Sequence, residues 1–170
     1  MSEKKVPPRE RILSSFKQLA TASTDLNAAS QALSQTISSV DASLKSVEPF
    51  VSTWHEIASG RDDGGGYWHR DIGYSKVEKT WGIALRTVQG HEGAEHDDVE
   101  VWLFKDAPRW MQIESVGKIP DLLDQLVKRT LDTTKKLRAK TIEAEEMARA
   151  LADALAERQA EKKEAGSDAW

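Results

Sequence analysis

Apolar residues recur along the first third of the chain with a period that only a helix satisfies. Ile12, Phe16, Leu19, Ser23, Leu26, Ser30, Leu33, Ile37, Val40, Leu44 and Val47 are separated alternately by four and three positions, and nine of the eleven are apolar. That is the a/d seam of a heptad repeat. Pro7 and Pro8 suit a helix start, where the missing N–H is not needed, and Pro49 suits a stop. A helix over 8–48 follows, roughly 60 Å long at about 1.5 Å per residue. So narrow a stripe requires another helix to cover it. Ser23 and Ser30 thin its middle.

A second helical run begins near Pro120, with Asp121 and Asp124 in its first turn, where the helix dipole favours negative charge. Its seam reads Leu123, Val127, Thr130, Thr134, Leu137, Thr141, Ala144, Ala148, Leu151 and Leu155. No Gly or Pro interrupts the chain from Asp121 to Ala165. The pattern predicts a helix over 118–163, a frayed tail over 164–170 that includes Trp170, and a disordered start over 1–7. The two seams are expected to pair as an antiparallel coiled-coil hairpin within one chain, or between chains of an oligomer. The residues carrying that pairing are Ile12, Phe16, Leu19, Leu26, Leu33, Ile37, Val40 and Leu44 on the first helix, and Leu123, Val127, Leu137, Leu151 and Leu155 on the second.

Between the helices, over 50–117, the period changes to two. Trp81, Ile83 and Leu85 alternate with Gly82, Ala84 and Arg86, as in a half-buried strand. Val99, Val101 and Leu103 alternate with Glu100, Trp102 and Phe104, so that strand is apolar on both faces. Phe50 to Ile57 and Trp68 to Val77 are weaker strand patterns joined by the loop GRDDGGG. A hairpin about Val77-Glu78-Lys79 joins Ile72–Lys76 to Thr80–Val88, and Trp110 to Val116 reads as a last short strand. The fold class is therefore α+β: a long N-terminal helix, a small antiparallel sheet of about four or five strands, and a long C-terminal helix. The plan of helix, β hairpins and helix resembles the prefoldin type of chaperone subunit, with no diagnostic motif behind the likeness. In that family the strands assemble an oligomer and the helix tips hold clients, which would make this chain chaperone-like.

Composition narrows the chemistry. The 170 residues are 31% charged and 39% hydrophobic, as suits an elongated helical protein with much surface for its mass. There are no cysteines, which excludes disulfides, thiolate metal sites and thiol catalysis. No apolar run is long enough for a signal peptide or a membrane span, so a soluble cytoplasmic protein is expected. The formal net charge of −4 offers no bulk attraction to nucleic acid or anionic lipid. Residues 50–117 carry seven basic and twelve acidic side chains, so the negative balance lies in the β head.

Four clusters have chemical potential. His91, His96, Asp97 and Asp98 offer metal-ligand types, but the glycine-bearing segment lacks the helical spacing of an HExxH site and reads as a solvated acidic loop. Arg61 to Gly66 lacks the Gly-Lys-Ser/Thr ending of a phosphate loop, and it lacks the alternating oxygen ligands and closing Glu of an EF-hand, so it reads as a flexible hairpin loop. His69 and Asp71 share a strand face, although no activated nucleophile motif accompanies them. Lys128, Lys135 and Lys136 lie opposite the apolar seam of the second helix and Arg129, Arg138 and Lys140 flank it, as a solvated face would, and Glu143, Glu145 and Glu146 dilute their charge. No catalytic residues, metal ligands or cofactor are expected.

The tryptophans are the most informative feature, because five of the six fall in the head. Trp81 and Trp102, on the apolar strands, are expected in the core. Trp54, Trp68 and Trp110, on more polar segments, are expected at a binding face together with Tyr74 and Arg70, since Trp, Tyr and Arg anchor binding hot spots. These patterns lead to a non-enzymatic interaction or assembly protein whose head contacts a partner protein and whose helices set reach or homo-oligomeric state. A regulator binding a small ligand or nucleic acid on the aromatic face is the second reading. An accessory or inhibitor protein of a mobile element is the third.

Overall fold

Helix α1 (Pro8–Val47) starts where the sequence places its prolines: Pro7 stands before the first turn and its carbonyl accepts the Arg11 N–H. It ends where Glu48 enters the left-handed region at φ 49° and its N–H turns back to the Lys45 carbonyl. The polar side of α1 is rich in Ser and Thr, whose hydroxyls donate to the carbonyl one turn earlier, as at Thr24, Thr36, Ser38 and Ser43. In this computed structural model, residues 7–167 are described, with side chains through residue 160. Residues 1–6 of the expected disordered start and residues 168–170 of the expected frayed tail, Trp170 included, lie outside the described residues, whereas the final helix continues through 164–167 rather than fraying there.

Four antiparallel strands follow: β1 (Thr53–Arg61), β2 (Gly66–Val77), β3 (Thr80–His91) and β4 (Asp98–Leu103), in the spatial order β1-β2-β3-β4. Helix α2 (Arg109–Ser115) and helix α3 (Ile119–Ser167) complete the chain, giving the α+β class expected. The chain divides into two units, one through Leu126 and one from Val127 onward. The second unit is the continuation of α3, along which Val127, Leu137, Leu151 and Leu155 are exposed.

The core of the first unit lies on one face of the sheet. The β2–β3 register sets Ile72 against Leu85 and Tyr74 against Ile83, so the two-residue period puts all four on that face. Ile37 of α1, Phe104, Met111 of α2, and Leu122 and Leu126 of α3 close over them. Trp81 and Trp102 pack at the edge of this cluster as half-buried rings. Trp81 stacks on Tyr74 with centroids 5.7 Å apart and also meets Phe50. On the other face, Gly73 faces Trp54, and a Cβ at Gly73 would fall against the Trp54 ring and the Thr53 carbonyl. That close approach is why a glycine stands there.

Strand β4 stops one pair short of Ile83, leaving the Ile83 N–H without a ladder partner. Asp41 of α1 accepts it at 2.8 Å with one carboxylate oxygen and holds Lys45 at 2.6 Å with the other. The helix thus satisfies the backbone at the end of the sheet.

Several expectations need correction. Trp110 to Val116 is not a strand: Pro108 opens helix α2, which turns Met111, Gln112 and Ser115 inward. The Gln112 amide then donates to the Phe104 carbonyl at 2.7 Å. The strand expected from Phe50 begins at Thr53, because Phe50 sits in the left-handed region at φ 42°. The hairpin has a two-residue turn, with Val77 paired to Thr80 and Glu78 at φ 53°. The start of α3 buries Leu122 and Leu126, whereas Val127 of the expected seam is exposed. On α1, Leu33, Ile37, Val40 and Leu44 pack onto the head, whereas Ile12, Phe16, Leu19 and Leu26 are exposed, Ile12 at 68%. The seam from Leu33 to Leu44 is therefore covered by the head, while Val47 at its end is exposed.

Candidate functional site

The core face of β2 extends beyond the cover of the helices. Continuing the alternation backwards from Tyr74 and Ile72 brings Arg70 and then Trp68 to that face. Trp68 lies across Gly60 of β1, its register partner, where any side chain would collide with the indole. From α2, Trp110 and Glu114 reach the same place, because residues four apart share a helix side.

The guanidinium of Arg70 sits between the two indoles, 4.4 Å from the Trp68 ring centroid and 5.0 Å from that of Trp110. Both distances are within cation–π range. Its Nη1 donates to Glu114 Oε2 at 2.9 Å, while its Nε is buried with no hydrogen-bond partner among the described residues. The rings remain open to solvent, Trp68 by 38% and Trp110 by 51%. Beside them runs a cleft of about 340 Å³, to which Thr87, Gln89, Glu100, Trp102 and Pro108 contribute. Three residues expected at a binding face, Trp68, Arg70 and Trp110, are thus brought together. Glu114 and Glu100 complete the site, and sequence reasoning did not pick them out. The Trp110-x-x-x-Glu114 spacing would have marked the first had the segment been read as a helix.

The other two expected residues lie elsewhere. Tyr74 is fully buried in the core, because it shares the inward phase of Ile72, and it presents nothing to a partner. Burial raises its hydroxyl pKa above 10.0, with the Asp41 carboxylate adding to the shift. Trp54 occupies the opposite face, where its ring carries Arg86 at 4.4 Å. Arg86 Nε donates to Asp71 Oδ2 at 2.6 Å, and His69 Nδ1 meets the same oxygen at 3.0 Å. Asp71 is only 4% exposed, so the His69/Asp71 pair seen in the sequence exists as part of a cross-strand clamp with Arg86. Ser59, opposite His69 in the register, donates to Glu56.

The remaining clusters are tied up locally. Asp97 accepts the Tyr67 hydroxyl, an interaction that raises the Tyr67 pKa. His91 meets the Glu92 carbonyl, and Asp62 accepts the N–H groups of Gly64 and Gly66. Among the described residues no three His, Cys, Asp or Glu side chains come together to hold a metal ion. The basic residues of α3 between Lys128 and Lys140 are solvent-exposed in the second unit. No helix among the described residues is long and apolar enough to cross a membrane. Comparison with known protein families, characterised proteins and solved structures finds no match for the chain.

Proposed function

We propose that this chain is a non-enzymatic interaction protein, working in the cytoplasm, whose β head docks a partner protein at the Trp68–Arg70–Trp110 cleft. The observation that carries the reading is two large, partly exposed indoles that both face the guanidinium of one arginine. That is the composition in which binding energy concentrates. The helices supply reach and assembly. The exposed stripe of α1 from Ile12 to Leu26 is apolar at helical spacing, as suits pairing with a helix of a second copy.

The test is affinity capture with the full chain and a Trp68→Ala/Trp110→Ala double variant, followed by light scattering of the wild type. The reading expects proteins retained by the wild type to be lost from the double variant, and a dimer or larger species in solution. Identical capture by both would sink the docking site, and a monomer at all concentrations would remove the assembly role. A small ligand in the cleft is the second reading, supported by a volume within the range of about 300–1,000 Å³ usual for such sites. Tryptophan fluorescence titrated with nucleotides and sugars separates the two.

A further inference from the structure

Arg70 shows what the cleft is built to hold. A cation between two π faces, closed by a carboxylate, is a complete recognition site, and here it is filled from within the chain. Three observations bear on what else it would accept. Glu100 borders the same cleft, is exposed, and takes part in no side-chain hydrogen bond or ion pair among the described residues, so one carboxylate beside the rings is free to meet a cation. The segment 50–117 that forms the head carries twelve acidic against seven basic residues, which draws cations towards it and repels polyanions. Arg70 itself is imperfectly satisfied, since its Nε is buried without an acceptor. A donor left unpaired weakens the hold on the whole side chain.

We infer that the cleft takes a basic segment of a partner protein, and that Arg70 is an internal plug occupying the position of the partner's cationic side chain. The inference rests on the docking role proposed above and names the chemistry of its partner. An incoming arginine or lysine stacks between Trp68 and Trp110 and pairs with Glu114, and Arg70 swings outward. Glu100 receives a second basic residue of the segment. Phosphate backbones are disfavoured by the same carboxylates.

The experiment uses the full chain, tryptophan fluorescence and calorimetry, with an arginine–glycine peptide, a glutamate–glycine peptide and a single-stranded oligonucleotide as probes. The arginine peptide is expected to bind alone among the three, more weakly as salt rises. Removing the plug with Arg70→Ala should tighten that binding roughly five- to tenfold, the scale of one cation–π contact. Arg70→Met, which keeps the packing of the stem, should do the same if the alanine variant folds poorly. Glu100→Gln should weaken binding and flatten its salt dependence. Unchanged or weaker binding in both Arg70 variants overturns the plug, and preference for the acidic peptide or the oligonucleotide overturns the basic partner. If Trp68→Ala/Trp110→Ala loses a captured protein but no form of the chain binds the arginine peptide, docking stands and this inference falls. If the arginine peptide binds while capture is indifferent to both tryptophans, the docking role falls.

Discussion

Replacing Tyr74 by Phe should make the protein more stable, although Tyr74 is among the most deeply buried side chains of the core. Its ring is fully enclosed and stacks on Trp81, with centroids 5.7 Å apart and planes 23° apart. Both features survive in phenylalanine. The hydroxyl alone differs, and it is buried without a hydrogen-bond partner among the described residues. An unsatisfied buried hydroxyl costs about 1–3 kcal/mol of desolvation. Deleting one oxygen forfeits a handful of contacts of about 0.1–0.2 kcal/mol each. The balance favours Tyr74→Phe by about 1 kcal/mol, or a rise in melting temperature of roughly 3–5 °C for a unit of this size. Thermal melts followed by near-ultraviolet circular dichroism and urea titrations at pH 7 would measure it.

The same residue makes a pH prediction whose sign is fixed. Burial raises the Tyr74 pKa above its ordinary 10.0, so above that pH the unfolded chain sheds the proton before the folded one does. Stability contributed by the protonated hydroxyl is complete below about pH 10 and declines as pH climbs through the folded value. The advantage of Tyr74→Phe should therefore widen above pH 10. A variant that melts below the wild type, or a gap that closes in alkali, would mean that the hydroxyl has a partner worth more than its burial costs.

Three further changes probe other parts of the molecule. Leu122→Ala empties a fully buried position where α3 meets the core, and should cost about 2–5 kcal/mol in urea unfolding. Asp71→Asn breaks the clamp to Arg86 and His69; with Arg86 28% exposed and partly screened, the expected loss is about 2–3 kcal/mol, read from thermal melts. Leu26→Asp lies on the uncovered part of α1, so the dilute chain should melt within about 0.5 kcal/mol of wild type. The proposed oligomer should lose mass by light scattering in the same variant.

How far the sequence could be read depended on whether an interaction was local. Helix α1 was legible because its period runs unbroken over ten intervals and prolines mark both ends. The start of α3 was legible in period but not in phase: Leu122-Leu123 and Leu126-Val127 are adjacent apolar pairs, so two stripes about 100° apart fit equally well. The structure takes Leu122 and Leu126, since packing against a sheet and a short helix selects a different side from a coiled-coil seam. Arg109 to Ser115 mixes apolar and polar residues over too short a span for either period to be decisive, and Pro108 was the better clue. Tyr74 could have been assigned to the core by its alternation with Ile72. Its polar strand neighbours suggested a surface instead. The meeting of Trp68 and Trp110 was not legible at all, because no spacing encodes contact between a strand and a helix this far apart in the chain.

The bond from Asp41 to the Ile83 N–H reaches further than the end of the sheet it satisfies. Helix α1 is one uninterrupted rod from Pro8 to Val47, and successive residues turn by about 100° around it. Anchoring one azimuth at Asp41 therefore sets the compass bearing of every residue upstream, including Leu26, about 22 Å away at about 1.5 Å per residue. A carboxylate at the foot of the helix aims the apolar stripe at its free half, like the setscrew on a shaft. Whatever meets Ile12, Phe16 and Leu19 meets them at an angle already chosen by that bond together with the packing of Leu33, Ile37, Val40 and Leu44 on the head.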